Sequence, residues 1–280
     1  MPTLVERLRT AGCVFAEEEA AVLEETATGP RLEELVLRRI AGEPLEYVVG
    51  WVAFDGDRVA IDPGVFVPRQ RTAYLVEVAH SLLSTRADER AGIVLDLCCG
   101  SGALGLALAR RRPGLLLHAT DIDPAAAACA ARNLAPVRGI AHLGDLAGPV
   151  PTDLRGQVDM ILANVPYVPS AAVALMPPES RDHEPLATVD GGADGLDLLR
   201  RVAALAPYWL RTGGSVVCEV SEAQVVAALD TFGAAGLHAR VHRDELRDAT
   251  VVSGLAAADR RPESVTRFDA VPSTDPRRPR

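Results

Sequence analysis

Four consecutive residues have the chemistry needed to hold a planar amide. Asn164, Val165, Pro166 and Tyr167 directly follow the apolar run 158–163. An asparagine side chain both donates and accepts hydrogen bonds, so it can pair with another amide. Pro166 biases Val165 toward an extended conformation, which fixes the direction of the Val165 carbonyl, a second acceptor. The Tyr167 ring can lie against the amide plane. A proline-stiffened turn with one exposed tyrosine is the alternative interpretation of the same segment.

A glycine-rich segment after another apolar run could bind a cofactor. Gly100, Gly102 and Gly105 form a Gly-x-Gly-x-x-Gly pattern after residues 92–97, and Asp121 lies 21 residues after Gly100. This spacing is typical of dinucleotide-binding folds. The same residues also satisfy the Asp-x-x-x-Gly-x-Gly loop of S-adenosylmethionine enzymes. The glycine spacing by itself leaves both cofactors open.

The acidic residue before the loop distinguishes the two cofactors. A dinucleotide would bring its pyrophosphate close to Asp96, and two negative charges repel each other. S-adenosylmethionine instead brings an ammonium and a sulfonium, both positive, so we predict S-adenosylmethionine. A turn that binds no ligand is a third interpretation.

Asp121 can accept hydrogen bonds from both ribose hydroxyls of either cofactor, or it is only a helix cap. We expect Asp145 near the adenine ring, with a surface loop as the alternative.

An alternating pattern of strands and helices predicts the elements that position these residues. Such alternation indicates an α/β fold, with a parallel sheet covered by helices on both faces. Ligands of doubly wound sheets bind at the carboxyl ends of the strands. The loops after residues 97, 121 and 163 should therefore face one crevice, which favours an amide site over a simple turn. The predicted strands are 92–97, 115–121, 158–163, 214–220, 238–243 and 249–255, and the predicted helices are 103–111, 124–134, 195–210 and 222–236.

Changes of periodicity predict four segments. Residues 3–41 carry apolar residues at helical intervals, whereas 47–67 alternate around Asp55-Gly56, a hairpin turn signal. We predict a helical domain at 1–45, a β-hairpin linker at 46–68 and a domain of alternating strands and helices at 69–258. The tail at 259–280 has no periodicity and is predicted to be disordered.

Composition excludes several classes of protein. The net charge is −9, which argues against gripping nucleic acid by phosphate neutralisation. The five cysteines form no Cys-x-x-Cys pair, which favours reduced thiols over a metal site or disulfides. The chain carries no signal-like segment and no apolar run of membrane-spanning length. We expect a cytoplasmic protein without a metal ion, and without stable binding to membranes or nucleic acid.

Several linked motifs resemble one family. From about Gly42 to Gly254 the chain resembles the protein-(glutamine-N5) methyltransferases, the release factor glutamine methyltransferases. The resemblance implies a class I, Rossmann-like methyltransferase domain at 69–258 and a substrate-recognition role for the helical domain at 1–45. It also implies that a methyl group passes from S-adenosylmethionine to the Gly-Gly-Gln glutamine of peptide chain release factors. The matching positions are Gly42, Pro44, Tyr47 and Gly50; Pro68, Arg69 and Thr72; the loop Asp-Leu-Cys-Cys-Gly-Ser-Gly; Asn164 to Tyr167; Glu184, Pro185 and Gly195; and Glu219 with Gln224.

The resemblance assigns roles to residues. It implies that Asn164 to Tyr167 form the catalytic segment, which corresponds to Asn-Pro-Pro-Tyr in the family and is called the hallmark below. It also implies that Asn164 lies beside the cofactor. We expect Cys98, Ile122 and Leu146, which flank the predicted cofactor residues, to contact the cofactor too. The cofactor residues are then Asp96, Cys98, Gly100, Gly102, Asp121, Ile122, Asp145, Leu146 and Asn164.

Three features depart from the family pattern. Val165 replaces the first proline of the hallmark, Arg71 stands where the family usually has glutamate, and the helical region is shorter. These departures bear on the substrate more than on the chemistry. An adenine-N6 or other nucleic-acid amino methyltransferase, and a non-catalytic cofactor-binding paralogue, are the alternative functions.

Overall fold

The structure, a computed structural model, describes residues 2–84, 92–176 and 184–257. The tail predicted at 259–280 lies outside these residues. In the described ranges no helix is both long enough and apolar enough to span a membrane.

The N-terminal helices enclose a hydrophobic cluster of their own. Helix α1 begins with a capping box in which Thr3 and Glu6 satisfy each other's backbone N–H groups. Arg39 forms an ion pair with Glu19 and so joins α3 to α2; both side chains are almost buried. The cluster includes Leu8, Leu23, Leu35 and Val48. The helices are α1 (Leu4–Thr10), α2 (Ala16–Thr26), α3 (Gly29–Ile40) and α4 (Leu45–Val49).

A two-stranded hairpin follows the helices. Strands β1 (Trp51–Phe54) and β2 (Asp57–Ala60) pair antiparallel, with Phe54 opposite Asp57. The connection is Asp55-Gly56, and both residues have positive φ, as the predicted tight turn requires. The hairpin is confirmed, but the strand pattern was wrong at its start. Residues 47–49 belong to helix α4, which ends at Gly50 in a left-handed conformation.

The rest of the described chain forms a seven-stranded sheet and the helices that pack on it. Its strand order is β5-β4-β3-β6-β7-β9-β8. Val94, Leu117 and Met160 pack on one face, whereas Leu95, Ile161 and Val216 pack on the other. The predicted α/β architecture is confirmed. The strands are β3 (Ile93–Leu97), β4 (Leu116–Asp121), β5 (Ile140–Leu143), β6 (Val158–Ala163), β7 (Leu210–Glu219), β8 (Leu237–Asp244) and β9 (Ala249–Ala256), and the helices are α5 (Ala73–Ser84), α6 (Ala103–Arg111), α7 (Pro124–Leu134), α8 (Ser170–Val173), α9 (Asp197–Trp209) and α10 (Val225–Ala234).

One strand corrects the prediction of an entirely parallel sheet. Strand β9 pairs antiparallel with both β7 and β8. Residues 245–248, which connect β8 to β9, are too few to cross over the sheet and can only close a hairpin. The other neighbouring strands pair in parallel. Strand order reverses between β3 and β6, and the crevice at the carboxyl ends of these strands is where ligands of such sheets bind.

Candidate active site

A cavity of about 500 Å³ lies at the carboxyl ends of the central strands. Its size falls within the usual range for small-molecule sites. Loops after β3, β4, β5 and β6 form its wall, so the structure brings together most of the predicted site residues. Those that line the cavity are Cys98, Gly100, Asp121, Ile122, Asp145, Leu146, Asn164, Val165, Pro166 and Tyr167.

The glycine loop turns sharply where β3 ends. Cys98 and Gly100 both have positive φ, near 55°. The Gly100 N–H donates to Asp121 Oδ2 over 2.8 Å, and the Cys99 N–H donates to the Thr120 carbonyl. The end of β4 therefore fixes the loop, and the backbone can approach a ligand closely because Gly100 carries no side chain.

Gly102 serves helix packing. It has φ of 77°, begins helix α6 and is not among the residues that line the cavity. A Cβ there would lie 3.2 Å from the Ala130 Cβ and 3.3 Å from Leu134, both on α7. In the structure this glycine lets α6 approach α7, and its predicted cofactor contact stays a prediction.

Asp96 lies behind the glycine loop, and its predicted contact with the cofactor stays a prediction. Its carboxylate is buried, is not part of the cavity wall, and accepts the Gly105 N–H over 2.9 Å. Side chains alternate along β3, so Asp96 shares the Val94 face and points under helix α6. A Cβ at Gly105 would lie 2.9 Å from Asp96 Oδ2, so the third glycine makes room for this contact. Asp96 holds the loop and its helix together from behind.

Replacing Asp96 with asparagine is expected to change the pH dependence of stability. Burial raises the pKa of Asp96 to about 7. The folded protein thus favours the protonated form, so the stability that this group contributes is complete below about pH 4 and is lost as pH rises to about 7. Asparagine can still accept the Gly105 N–H and has no proton to lose. The free energy of unfolding of Asp96→Asn should gain on the wild type by up to about 1.4 kcal/mol per pH unit across this window.

Urea denaturation at a series of pH values measures this difference. Asp230→Asn, an exposed position on helix α10, controls for the substitution itself. Unfolding free energies of Asp96→Asn and wild type that stay parallel from pH 4 to 7 would contradict the expectation.

The β4 and β5 loops form the side of the cavity opposite the hallmark. Asp121 is partly buried, and its Oδ1 accepts the Asp123 N–H over 3.0 Å. Burial raises the pKa of Asp121. Ile122 is 68% exposed, so a large apolar side chain stands free at the cavity rim. Asp145 lines the cavity but forms an exposed ion pair with Arg201.

Asn164 presents a buried acceptor without a donor. Strands β6 and β7 are in register at Ala163 and Cys218, so Asn164 and Glu219 are the next residues along neighbouring strands. The Oδ1 atom of Asn164 is buried and has no hydrogen-bond partner in the described ranges. Such an atom costs free energy unless a ligand donates to it. The side chain is therefore placed to receive an N–H group in the cavity.

The backbone of the hallmark is held by residues that follow it in the chain. The Gln224 Nε2 donates to the Tyr167 carbonyl over 2.8 Å and to the Asp194 carbonyl over 3.0 Å. The Val168 N–H donates to the Val189 carbonyl, and the Gly191 N–H donates to the Val168 carbonyl. The hallmark is thus clamped between the segment 189–195 and Gln224. The sequence matched Gly195 and Gln224 to a family but assigned them no contacts.

The segment between the hairpin and helix α5 closes another wall of the cavity. The Tyr47 hydroxyl donates to the Val65 carbonyl over 2.7 Å. Arg69 forms an ion pair with Glu184, whose carboxylate is almost fully buried, and its guanidinium lies 5.0 Å from the Phe66 ring centroid. The cluster of family motifs was a signal for these residues, but the pairing of Arg69 with Glu184 is visible only in the structure.

Comparisons with known proteins agree with this geometry. The family model described as methyltransferase small domain matches residues 58–176. The release factor glutamine methyltransferase of Streptomyces coelicolor is 39% identical over 69% of this chain and 68% of its own length. The release factor glutamine methyltransferase of Mycolicibacterium smegmatis is 36% identical over 84% of this chain and 78% of its own length.

A solved methyltransferase from Pyrococcus furiosus shares the fold. It is 16% identical, and the match covers 80% of this chain and 98% of that one with a TM-score of 0.51. The chain's similarity to curated relatives over more than two thirds of their lengths goes further than fold. It shows that this chain belongs to the release factor glutamine methyltransferase family, a family of S-adenosylmethionine-dependent enzymes.

Proposed function

We propose that this protein methylates the side-chain nitrogen of a protein glutamine, namely the Gly-Gly-Gln glutamine of peptide chain release factors. One observation carries the proposal: Asn164 lines the cavity, and among the described residues its buried Oδ1 has no donor. A primary amide supplies an N–H to this oxygen and a carbonyl to the Asn164 amino group. The release factor activity of the two relatives supports the choice of protein.

The residues around the glycine loop fit S-adenosylmethionine. Gly100 leaves the loop without a side chain at the cavity wall, and the Asp121 carboxylate lies next to it. Besides its two backbone contacts, this carboxylate has lone pairs that can accept ribose hydroxyls. Ile122 and Leu146 supply apolar surface for a flat ring. When bound, the cofactor supplies a methyl group on a positively charged sulfur.

The site's contribution to the reaction is orientation. An amide nitrogen is a weak nucleophile because its lone pair is delocalised. Asn164 and the Val165 carbonyl would hold the amide with its nitrogen directed at the cofactor site. This nitrogen would take the methyl group from the cofactor, which would leave as the neutral thioether, and would lose one proton to solvent. Correct alignment can supply much of the rate enhancement without a general base.

Replacing Asp121 with alanine is expected to weaken S-adenosylmethionine binding. The change removes the acceptor for ribose hydroxyls and also the partner of the Gly100 N–H. Lost hydrogen bonds to a charged group predict a reduction of about 1.5–3 kcal/mol in binding free energy. Calorimetry measures it, and Asp230→Ala, an exposed residue outside the cavity wall, is the control. An unchanged dissociation constant would rule out the ribose role.

Mass spectrometry of release factors tests the proposed substrate. Release factors incubated with enzyme and S-adenosylmethionine should gain one methyl group on the glutamine of Gly-Gly-Gln. A second reaction offers single-stranded and duplex DNA with a labelled methyl donor. Label in DNA and none in release factors would overturn the proposal in favour of an adenine amino methyltransferase. The net charge of −9 argues against that outcome.

A further inference from the structure

The hydroxyl of Tyr167 lies in a closed ring of hydrogen bonds. The Arg71 Nη2 donates to the Tyr167 hydroxyl over 2.7 Å, and that hydroxyl donates to Glu219 Oε1 over 3.0 Å. The Arg71 Nε donates to the same Glu219 oxygen over 3.1 Å. The three side chains come from the short turn at 70–72 before helix α5, from the hallmark and from the end of strand β7. Their ring fixes the tyrosine at one wall of the cavity.

Because Glu219 is buried, its carboxylate depends on this ring for hydrogen bonds. The Glu219 side chain is only 3% exposed, and its second carboxylate oxygen has no hydrogen-bond partner in the part of the chain that the structure describes. Burial raises the pKa of Tyr167 to about 12, so its phenol stays protonated and remains a donor. Two nitrogens of the planar Arg71 guanidinium donate at once to the Tyr167 hydroxyl and to Glu219 Oε1. A lysine ammonium is a single donor centre and cannot reproduce that geometry.

Arg71 and Val165 are two of the three departures from the family pattern. Arg71 contacts the Tyr167 hydroxyl, and Val165 precedes Tyr167 by two residues. A proline at 165 would fix φ near about −65° through its ring. Valine has no such ring, so its φ is restrained only by the following Pro166 and by the burial of its side chain. The segment that carries Tyr167 therefore needs a restraint from outside its own backbone. Gln224 restrains the Tyr167 carbonyl, and the Arg71–Glu219 pair restrains the other end of the residue, its hydroxyl.

We infer that Arg71 is a positioning residue, which holds Tyr167 against Glu219 and so replaces the stiffness that Val165 does not give the hallmark. The inference rests on the proposed function, because the fixed Tyr167 ring is taken to lie against the plane of the glutamine amide that accepts the methyl group. It predicts that residues 71 and 165 are energetically coupled although they belong to different elements. Side chains that share a network show such coupling, whereas independent sites have additive effects.

Two single variants and their combination test the coupling. Arg71→Gln is shorter, carries no charge and offers one donor nitrogen in place of two, and we expect it to lower the single-turnover rate of glutamine methylation about tenfold. Its affinity for S-adenosylmethionine should stay within about twofold, since Arg71 acts on the acceptor side. Adding Val165→Pro should restore most of the lost rate. Arg110→Gln, which removes an exposed ion pair with Asp57 on the hairpin, is the matched control and should react at the wild-type rate.

A second measurement reports on Tyr167 without turnover. The chain has four tyrosines, so ring-labelled tyrosine gives a simple NMR spectrum in which Tyr167→Phe assigns the Tyr167 signal. Arg71→Gln should shift or broaden that signal, and Val165→Pro in the same chain should sharpen it again. If Arg71→Gln does not fold, Arg71→Lys answers the same question, because lysine keeps a positive charge beside Glu219 but lacks the planar guanidinium.

The two readouts separate this inference from the proposed function. A wild-type enzyme that methylates no glutamine would refute the proposed function, and the NMR result would then decide the inference alone. An unchanged Tyr167 signal in Arg71→Gln or Arg71→Lys overturns it. A rate loss that Val165→Pro does not recover also overturns it, because the two positions would then act independently.

Discussion

Asn164→Ala is expected to lower the rate of methyl transfer about 10²-fold or more while leaving S-adenosylmethionine affinity nearly unchanged. Asn164 ends strand β6, whereas the glycine loop follows β3 and Asp121 ends β4. The substitution therefore removes the donor and acceptor that set the approach of the amide nitrogen and leaves Gly100 and Asp121, which are proposed to bind the cofactor, in place. Losing this alignment in a site shielded from water costs several kcal/mol in the transition state.

The same variant should retain its stability. In the free enzyme the Asn164 Oδ1 is buried without a donor among the described residues. Removing an unsatisfied buried acceptor costs the fold little and can even stabilise it. If residues 164–167 were only a turn, alanine would instead reduce stability by about 1 kcal/mol and leave activity close to normal.

Asn133→Ala supplies the contrast. The Asn133 Oδ1 accepts the Ala60 N–H, and its Nδ2 donates to the Ala60 and Ser101 carbonyls. This asparagine ties the hairpin and the glycine loop to helix α7, so alanine should lower the unfolding free energy by about 1–3 kcal/mol. Single-turnover kinetics and urea denaturation on both purified variants make the comparison. Wild-type turnover by Asn164→Ala would reject its role in holding the substrate.

Gly195→Ala is expected to damage both the fold and the hallmark. Gly195 has φ of 77°, and a Cβ there would lie 2.2 Å from the Tyr167 carbonyl oxygen and 2.4 Å from Gln224 Nε2. The clash would break the hydrogen bond from Gln224 to Tyr167. Strained φ and overpacking together predict a loss of about 2–4 kcal/mol of stability. Displacement of the hallmark should lower the methyl-transfer rate at least about tenfold in the molecules that still fold.

Gly156→Ala isolates the contribution of φ. Gly156 has φ of 71°, and a Cβ at this position would meet no atom within 4 Å. It should lose about 1–2 kcal/mol from backbone strain alone. Chemical denaturation gives the stability difference between the two variants, and single-turnover kinetics gives the rate. Equal losses of stability with equal rates would mean that segment 189–195 does not support Tyr167.

Local patterns in the sequence were sufficient to predict most of the elements. The predicted helices at 103–111 and 124–134 and the strand at 158–163 agree with the structure residue by residue. Buried parallel strands appear as continuous apolar runs, and a Pro after Asp123 marks the start of α7, so these signals lie within the elements themselves. The same locality explains the wrong strand pattern at 47–49. Alternating apolar residues also suit a short helix that buries Tyr47 and Val48.

From the residues alone we predicted the crevice, ten of the residues that line it and the family to which they correspond. The direction in which side chains face depends on how the elements pack. Side chains alternate along β3, so the Asp96 carboxylate points under helix α6 and away from the cavity. Gly102 lies where α6 packs on α7 and leaves no room for a side chain. In the ring around Tyr167, Arg71 contacts Tyr167, which lies 96 positions further along the chain, and Glu219, which lies 148 positions further along. No pattern within one element encodes such a contact, because it exists only when three elements pack at one edge of the sheet.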